Sequence, residues 1–150
     1  MMNEKNRQIY YGALDLWKKE LILEKYEKGD GDCTRDFLKK IIKRNSGNRI
    51  IIFWDGAGYH KGEKMREFLR EINGNLPEKN WVITCHLFAP YAPEENPIEA
   101  VWLALKNLLR RCYRFCKNLK IMKQIFELLV EFKLFNFPNL ENYDAFLCLK

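Results

Sequence analysis

Two carboxylates in this chain stand where chemistry can use them. Asp55 ends the apolar run IIIFWD, and the glycine-punctuated segment GAGYH follows it. Glu99 lies in PYAPEENPIEAVW, residues 90–102, a proline-rich turn that opens a helix. If the fold brings these two ends together, they form half or more of a metal-binding carboxylate cluster. Each acid also has a purely structural reading. An aspartate at a strand end often serves the turn. Asn96 and Glu99 have the spacing of a capping box, with Asn in place of the usual Ser or Thr. His60, a turn after Asp55, can contact a phosphate, steady the loop, or be an ordinary surface histidine. Lys61, Lys64, Lys106, Arg110 and Arg111 are candidate phosphate contacts. Singly each reads as a solvated charge; clustered, they suit DNA, because phosphate contacts need only grouped cations.

The elements that must position these residues follow from patterning. Residues 8–17 and 21–27 are two β-rich runs around a polar break and predict an antiparallel hairpin. EKGDGD, residues 27–32, is a loop, with Asp32 or Thr34 as the expected cap of the next helix. Phe37, Leu38, Ile41 and Ile42 recur at helical spacing. Residues 49–54 are apolar without alternation, which predicts a strand buried on both faces. Met65, Phe68, Leu69 and Ile72 mark an amphipathic helix, and residues 81–88 a further strand. Strands alternating with helices indicate an α/β fold, whose ligands sit at the carboxyl ends of strands. Asn96 and Pro97 predict a helix start. The expected buried stripe is Ile98, Val101, Trp102, Leu105, Leu108 and Leu109, with Glu99, Leu103, Lys106 and Arg110 on one line beside it. A further amphipathic helix is expected over 117–133, and an irregular segment or short turn over 137–146.

Composition bounds the partners. A length of 150 residues predicts one domain. The apolar share of 47% and charged share of 31% exclude disordered and collagen-like classes. No apolar run approaches the roughly 20 residues of a membrane span. The polar start MMNEKNRQ lacks a signal region. Together these predict a soluble, cytoplasmic protein with no membrane partner. Five scattered cysteines (Cys33, Cys85, Cys112, Cys116, Cys148) argue for reduced thiols over a disulfide framework. Cys112 and Cys116 share a helix face, but no second pair with finger spacing follows. A net charge of +6 suits a polyanionic partner.

The apolar strand ending in Asp55, His60 a turn later, and PYAPEENPIEAVW before a basic helix resemble the DDE-type transposases, specifically the IS630/Tc1-mariner group. The hairpin with YGALDL fits the same pattern, and residues 49–111 carry the likeness most securely. The resemblance implies a ribonuclease H-like fold: a mixed sheet flanked by helices. It implies that Asp55 and Glu99 are the second and third acids of a catalytic triad binding two divalent metals, Mg²⁺ or Mn²⁺. Hard oxygen ligands suit those ions. Two such ions can activate an attacking oxygen and stabilise the leaving oxygen of a phosphodiester. The implied activity is DNA cleavage and strand transfer in transposition, with transposon ends and target DNA as partners.

The chain departs from that pattern in one respect. The family's first acid ends a strand ahead of the hairpin, and here only polar residues and methionines stand there. The expectation is therefore a partial catalytic domain, lacking the first central strand, the first acid and the helix-turn-helix region. Asp15 in the hairpin is the one internal substitute, against its simpler reading as a turn residue. Such a chain is either an enzyme part completed by an upstream transposase fragment, or a non-catalytic remnant. A remnant would bind DNA or pair with full-length transposase as an inhibitor.

Overall fold

A computed structural model describes residues 7–90, 93–116 and 118–140. The order is β1 (Ile9–Asp15), β2 (Glu20–Tyr26), α1 (Gly31–Arg44), β3 (Ile50–Trp54), α2 (Gly58–Lys61), α3 (Glu63–Asn73), β4 (Ile83–Leu87), α4 (Pro97–Cys112) and α5 (Leu119–Glu131). This is the expected α/β composition. The helix foreseen over 117–133 is α5, and residues 141–146 of the last predicted segment lie outside the described residues. Among the described residues the four strands form two two-stranded sheets, β1–β2 and β3–β4, where one mixed sheet was expected. The chain divides into two compact units. Gly12–Leu23 and the described residues from Glu94 onward form one, and Gln8–Tyr11 with 24–90 and Pro93 form the other. No helix among the described residues is long and apolar enough to cross a membrane.

In the first unit, the hairpin turn is closed by Asp15. Its Oδ1 accepts from the N–H groups of Trp17 (3.0 Å) and Lys18 (2.9 Å), and Lys19 takes φ +52°. Asp15 is therefore a turn-forming residue by its contacts. α4 starts where the sequence predicts, with Asn96 as N-cap and Pro97 at its first position. Val101 and Leu105 are fully buried, and Ile98, Trp102, Leu108 and Leu109 are half-buried. Gly12 of β1 lies against the Trp102 ring so closely that a Cβ there would stand 2.3 Å from it. Trp102 in turn stacks with Phe126 of α5, ring centroids 6.5 Å apart. α5 is capped by Asn118, whose Oδ1 accepts from Ile121 N–H at 3.0 Å.

In the second unit, α1 buries Thr34, Phe37, Leu38 and Ile41 along one face. Its cap is Asp30, not Asp32 or Thr34. Asp30 Oδ1 accepts from Cys33 N–H at 2.9 Å, and its carbonyl accepts from Thr34 N–H and Oγ1. The helix begins two or four residues earlier than the two expected caps imply, because Asp30 has the extended backbone a cap requires while Asp32 and Thr34 lie within the helix. Asp32 in the first turn instead meets the positive helix end.

β3 and β4 run parallel, Ile50 opposite Ile83 through Trp54 opposite Leu87. Parallel neighbours need a long crossover, and α2 and α3 supply it. Ile50 N–H donates to Val82 C=O (2.9 Å) and Phe88 N–H to Trp54 C=O (3.0 Å). These bonds turn the even-numbered residues of β3 toward β4, so the peptide groups of Ile51 face the opposite edge. Ile51 is 42% exposed and the rest of β3 half-buried, where burial on both faces was expected. The reason is that β3 has a strand neighbour on one edge only among the described residues. The outer edge of β4 is closed differently. The buried Asn73 side chain donates to Ile83 C=O (2.9 Å) and accepts from Ile83 N–H (3.1 Å), mimicking one rung of a strand.

Candidate metal centre

Asp55 follows the last residue of β3, the strand end where α/β ligands gather. Its side chain is 67% exposed. Oδ1 accepts from Ala57 N–H at 3.1 Å. His60 Nδ1 lies 3.0 Å from the same oxygen and 3.2 Å from the Asp55 carbonyl. Both neighbours are acceptors, so these contacts assign the proton to Nδ1. The imidazole is largely buried because it lies flat on the Trp54 indole, centroids 4.5 Å apart at 3°. Thus Oδ1 is held on two sides while Oδ2 accepts no hydrogen bond among the described residues.

His60 therefore steadies the Asp55 loop through its Nδ1. Lys61 folds back over the loop: a Cβ on Gly56 would sit 3.2 Å from its Nζ. Lys64 pairs with Asp32 at 3.0 Å, with both side chains substantially exposed. Sequence reading placed Trp54 within the apolar strand and did not single out Ala57. The aromatic one residue before the acid and the histidine five after it were the available signal for the stack.

Glu99 sits in the first turn of α4 and is exposed. The reciprocal capping box is not made. Asn96 Oδ1 accepts from Ile98 N–H (3.3 Å), and Glu99 N–H donates to the Asn96 carbonyl (3.0 Å). The Glu99 carboxylate has no hydrogen bond or ion pair among the described residues. A carboxylate at a helix N-terminus is stabilised by the helix dipole even without a cap bond. Lys106, Arg110 and Arg111 are exposed along the same helix, with Arg110 donating to Asn107 Oδ1 at 3.2 Å.

The other described aspartates are engaged elsewhere. Asp15 holds its turn, Asp30 caps α1 and pairs with Lys28, Asp32 pairs with Arg35 and Lys64, and Asp36 accepts from Tyr26 and pairs with Lys40. The Lys28 ammonium and the Cys33 N–H hold the Asp30 carboxyl well below the usual carboxylate range. Among the described residues no group of three or more His, Cys, Asp or Glu side chains is placed to hold a metal ion. Asp55 belongs to the second unit and Glu99 to the first.

Residues 2–123 match the family model for DDE superfamily endonuclease. The chain belongs to the DDE superfamily of endonucleases. The matched span includes Asp55, Glu99 and all six candidate DNA contacts. No curated protein matches the chain. DDE endonucleases generally use divalent metals and bind DNA, and the two exposed carboxylates offer the hard oxygen donors such ions take.

Proposed function

We propose that this DDE endonuclease domain serves metal-dependent cleavage and strand transfer of DNA in transposition, within the IS630/Tc1-mariner group and on a ribonuclease H-like fold. Asp55 and Glu99 are two of its metal-binding carboxylates, taking Mg²⁺ or Mn²⁺. The observation that carries this reading is the Asp55 loop within a matched family span: an exposed strand-end carboxylate with one oxygen fixed by Ala57 and His60 and the other available. When bound, a metal pair supplies charge stabilisation at the attacking and leaving oxygens of the phosphodiester. The residues have simpler tasks. Ala57 and His60 orient Asp55, Trp54 holds the imidazole, and Lys61, Lys64, Lys106, Arg110 and Arg111 attract the phosphates.

The triad implied by the resemblance needs one more strand-end aspartate, and the described aspartates other than Asp55 carry structural ties. We place that acid on a strand pairing with the Ile51 edge of β3. The same edge, which has no strand neighbour among the described residues, favours a second reading, in which the chain pairs with full-length transposase as an inhibitor. Calorimetric titration with Mn²⁺ tests the ligand assignment. Asp55→Ala and Glu99→Ala are each expected to abolish binding. Binding that survives both substitutions refutes it. Mn²⁺-dependent plasmid cleavage by residues 1–150 alone, lost on Asp55→Ala, refutes the need for a further acid.

A further inference from the structure

The net charge of this chain is concentrated in one place. Residues 100–126 carry seven lysines and arginines and no carboxylate, against +6 for the whole chain, so the remainder is net negative by one. In the middle of that stretch, between α4 and α5, the chain makes a single 3₁₀ turn, Tyr113–Phe115. Its two rings are turned outward: Tyr113 is 66% exposed and Phe115 80%. Arg110, Arg111 and Arg114 beside them are exposed as well. None of the three pairs with a carboxylate among the described residues.

We propose that this corner is a stacking platform for unpaired DNA bases. The cations alone fit any polyanion, duplex included. The aromatic rings narrow the choice. A phosphate backbone offers a phenyl ring nothing, and the bases of a duplex are hidden within their own stack. An unpaired strand presents π faces and phosphates together, and single-strand binders combine aromatic platforms with a cationic track in this way. Tyr113 and Phe115 take the bases; Arg110, Arg111 and Arg114 take the flanking phosphates. A flat apolar protein partner would gain the rings but would have to bury three arginines that pair with no carboxylate among the described residues.

This inference rests on reading DNA as the ligand, not on metal chemistry at Asp55 and Glu99. Its test therefore runs in EDTA. Fluorescence anisotropy with the full chain compares a labelled 20-nucleotide oligothymidine with a hairpin duplex of equal phosphate count. The single strand is expected to bind at least about 10-fold more tightly. Phe115→Ala lowers single-strand affinity about 10-fold and leaves duplex affinity unchanged, while Phe115→Trp retains it. The Arg110, Arg111 and Arg114 triple alanine variant lowers the salt slope for the single strand by about 2. Equal or tighter duplex binding, or no effect of Phe115→Ala with native circular dichroism, overturns the proposal. So does binding of neither DNA. Loss of Mn²⁺ binding with the platform intact fails only the metal assignment, and the reverse result fails only the platform.

Discussion

Replacing Asn73 tests how the second unit holds its sheet. The amide makes two bonds to one residue, Nδ2 to Ile83 C=O at 2.9 Å and Oδ1 from Ile83 N–H at 3.1 Å. Asn73 is 4% exposed and Ile83 fully buried, so water cannot take over these bonds. Asn73→Leu keeps the number and branching of the side-chain heavy atoms and removes both bonds. Each buried peptide group left without a partner costs about 1–3 kcal/mol, giving roughly 2–6 kcal/mol for the two. That is a large part of the ~5–15 kcal/mol that holds a domain together. With a urea slope of about 1–3 kcal/mol/M, the midpoint falls by roughly 1–3 M. Asn73→Asp separates the two bonds. An ionised carboxylate still accepts from Ile83 N–H but repels Ile83 C=O. Burial and that repulsion raise its pKa above the unfolded value, so its penalty is present at pH 7 and shrinks as pH falls through the carboxylate range. Urea unfolding followed by tryptophan fluorescence at pH 7 and pH 4 reads both effects. A midpoint shift below about 0.3 M for Asn73→Leu would refute the rung-mimic argument.

Three further outcomes are expected. Gly12→Ala forces a Cβ to 2.3 and 2.6 Å from two Trp102 ring carbons and destabilises by about 1–3 kcal/mol; Trp102→Phe in the same chain recovers part of that loss, seen as coupling in a double-mutant cycle. Asp30 is depressed by Lys28 and the Cys33 N–H, so its stabilisation is present above the unfolded carboxylate pKa of about 3.9 and is lost as pH falls toward its folded value. Asp30→Asn keeps a capping oxygen, and acid titration of its stability is expected to be flatter below about pH 4 than that of the parent. Burial pushes the Cys85 thiol up to about 12, so at pH 8 iodoacetamide labels it far more slowly in the native chain than in urea, as mass spectrometry of the peptides shows. Equal labelling rates would contradict its burial.

The parts legible in the sequence are those carried by neighbours a few residues apart. Helical spacing of Phe37, Leu38 and Ile41, and of Val101 and Leu105, marked the buried faces of α1 and α4. Asn96 and Pro97 marked a helix start because the cap oxygen and the fixed φ act within one turn. The position of Asp55 at a strand end followed from an apolar run and the glycines after it. The cap of α1 was misplaced because the segment offers Asp30, Asp32 and Thr34 close together, and only the backbone at Asp30 selects among them.

What the tertiary structure decided are pairings that local pattern does not encode. Nothing in EINGN signals that Asn73 will replace a strand at Ile83, ten residues on. The apolar run IIIFW fits a strand buried on both faces; one ladder instead of two leaves Ile51 at the surface. His60 read as a phosphate contact, a support for the loop or a surface histidine, and the Trp54 stack and the Asp55 contacts turn its ring onto the loop. Glu99 read as a cap on helix spacing alone and as a metal ligand on the surrounding motif; the folded chain does not make the reciprocal cap bond. Local sequence sets which elements form, because propensity and capping act over one turn. Which edge is closed, and which oxygen of a carboxylate stays available, depend on contacts between segments, and those exist only once the chain has folded.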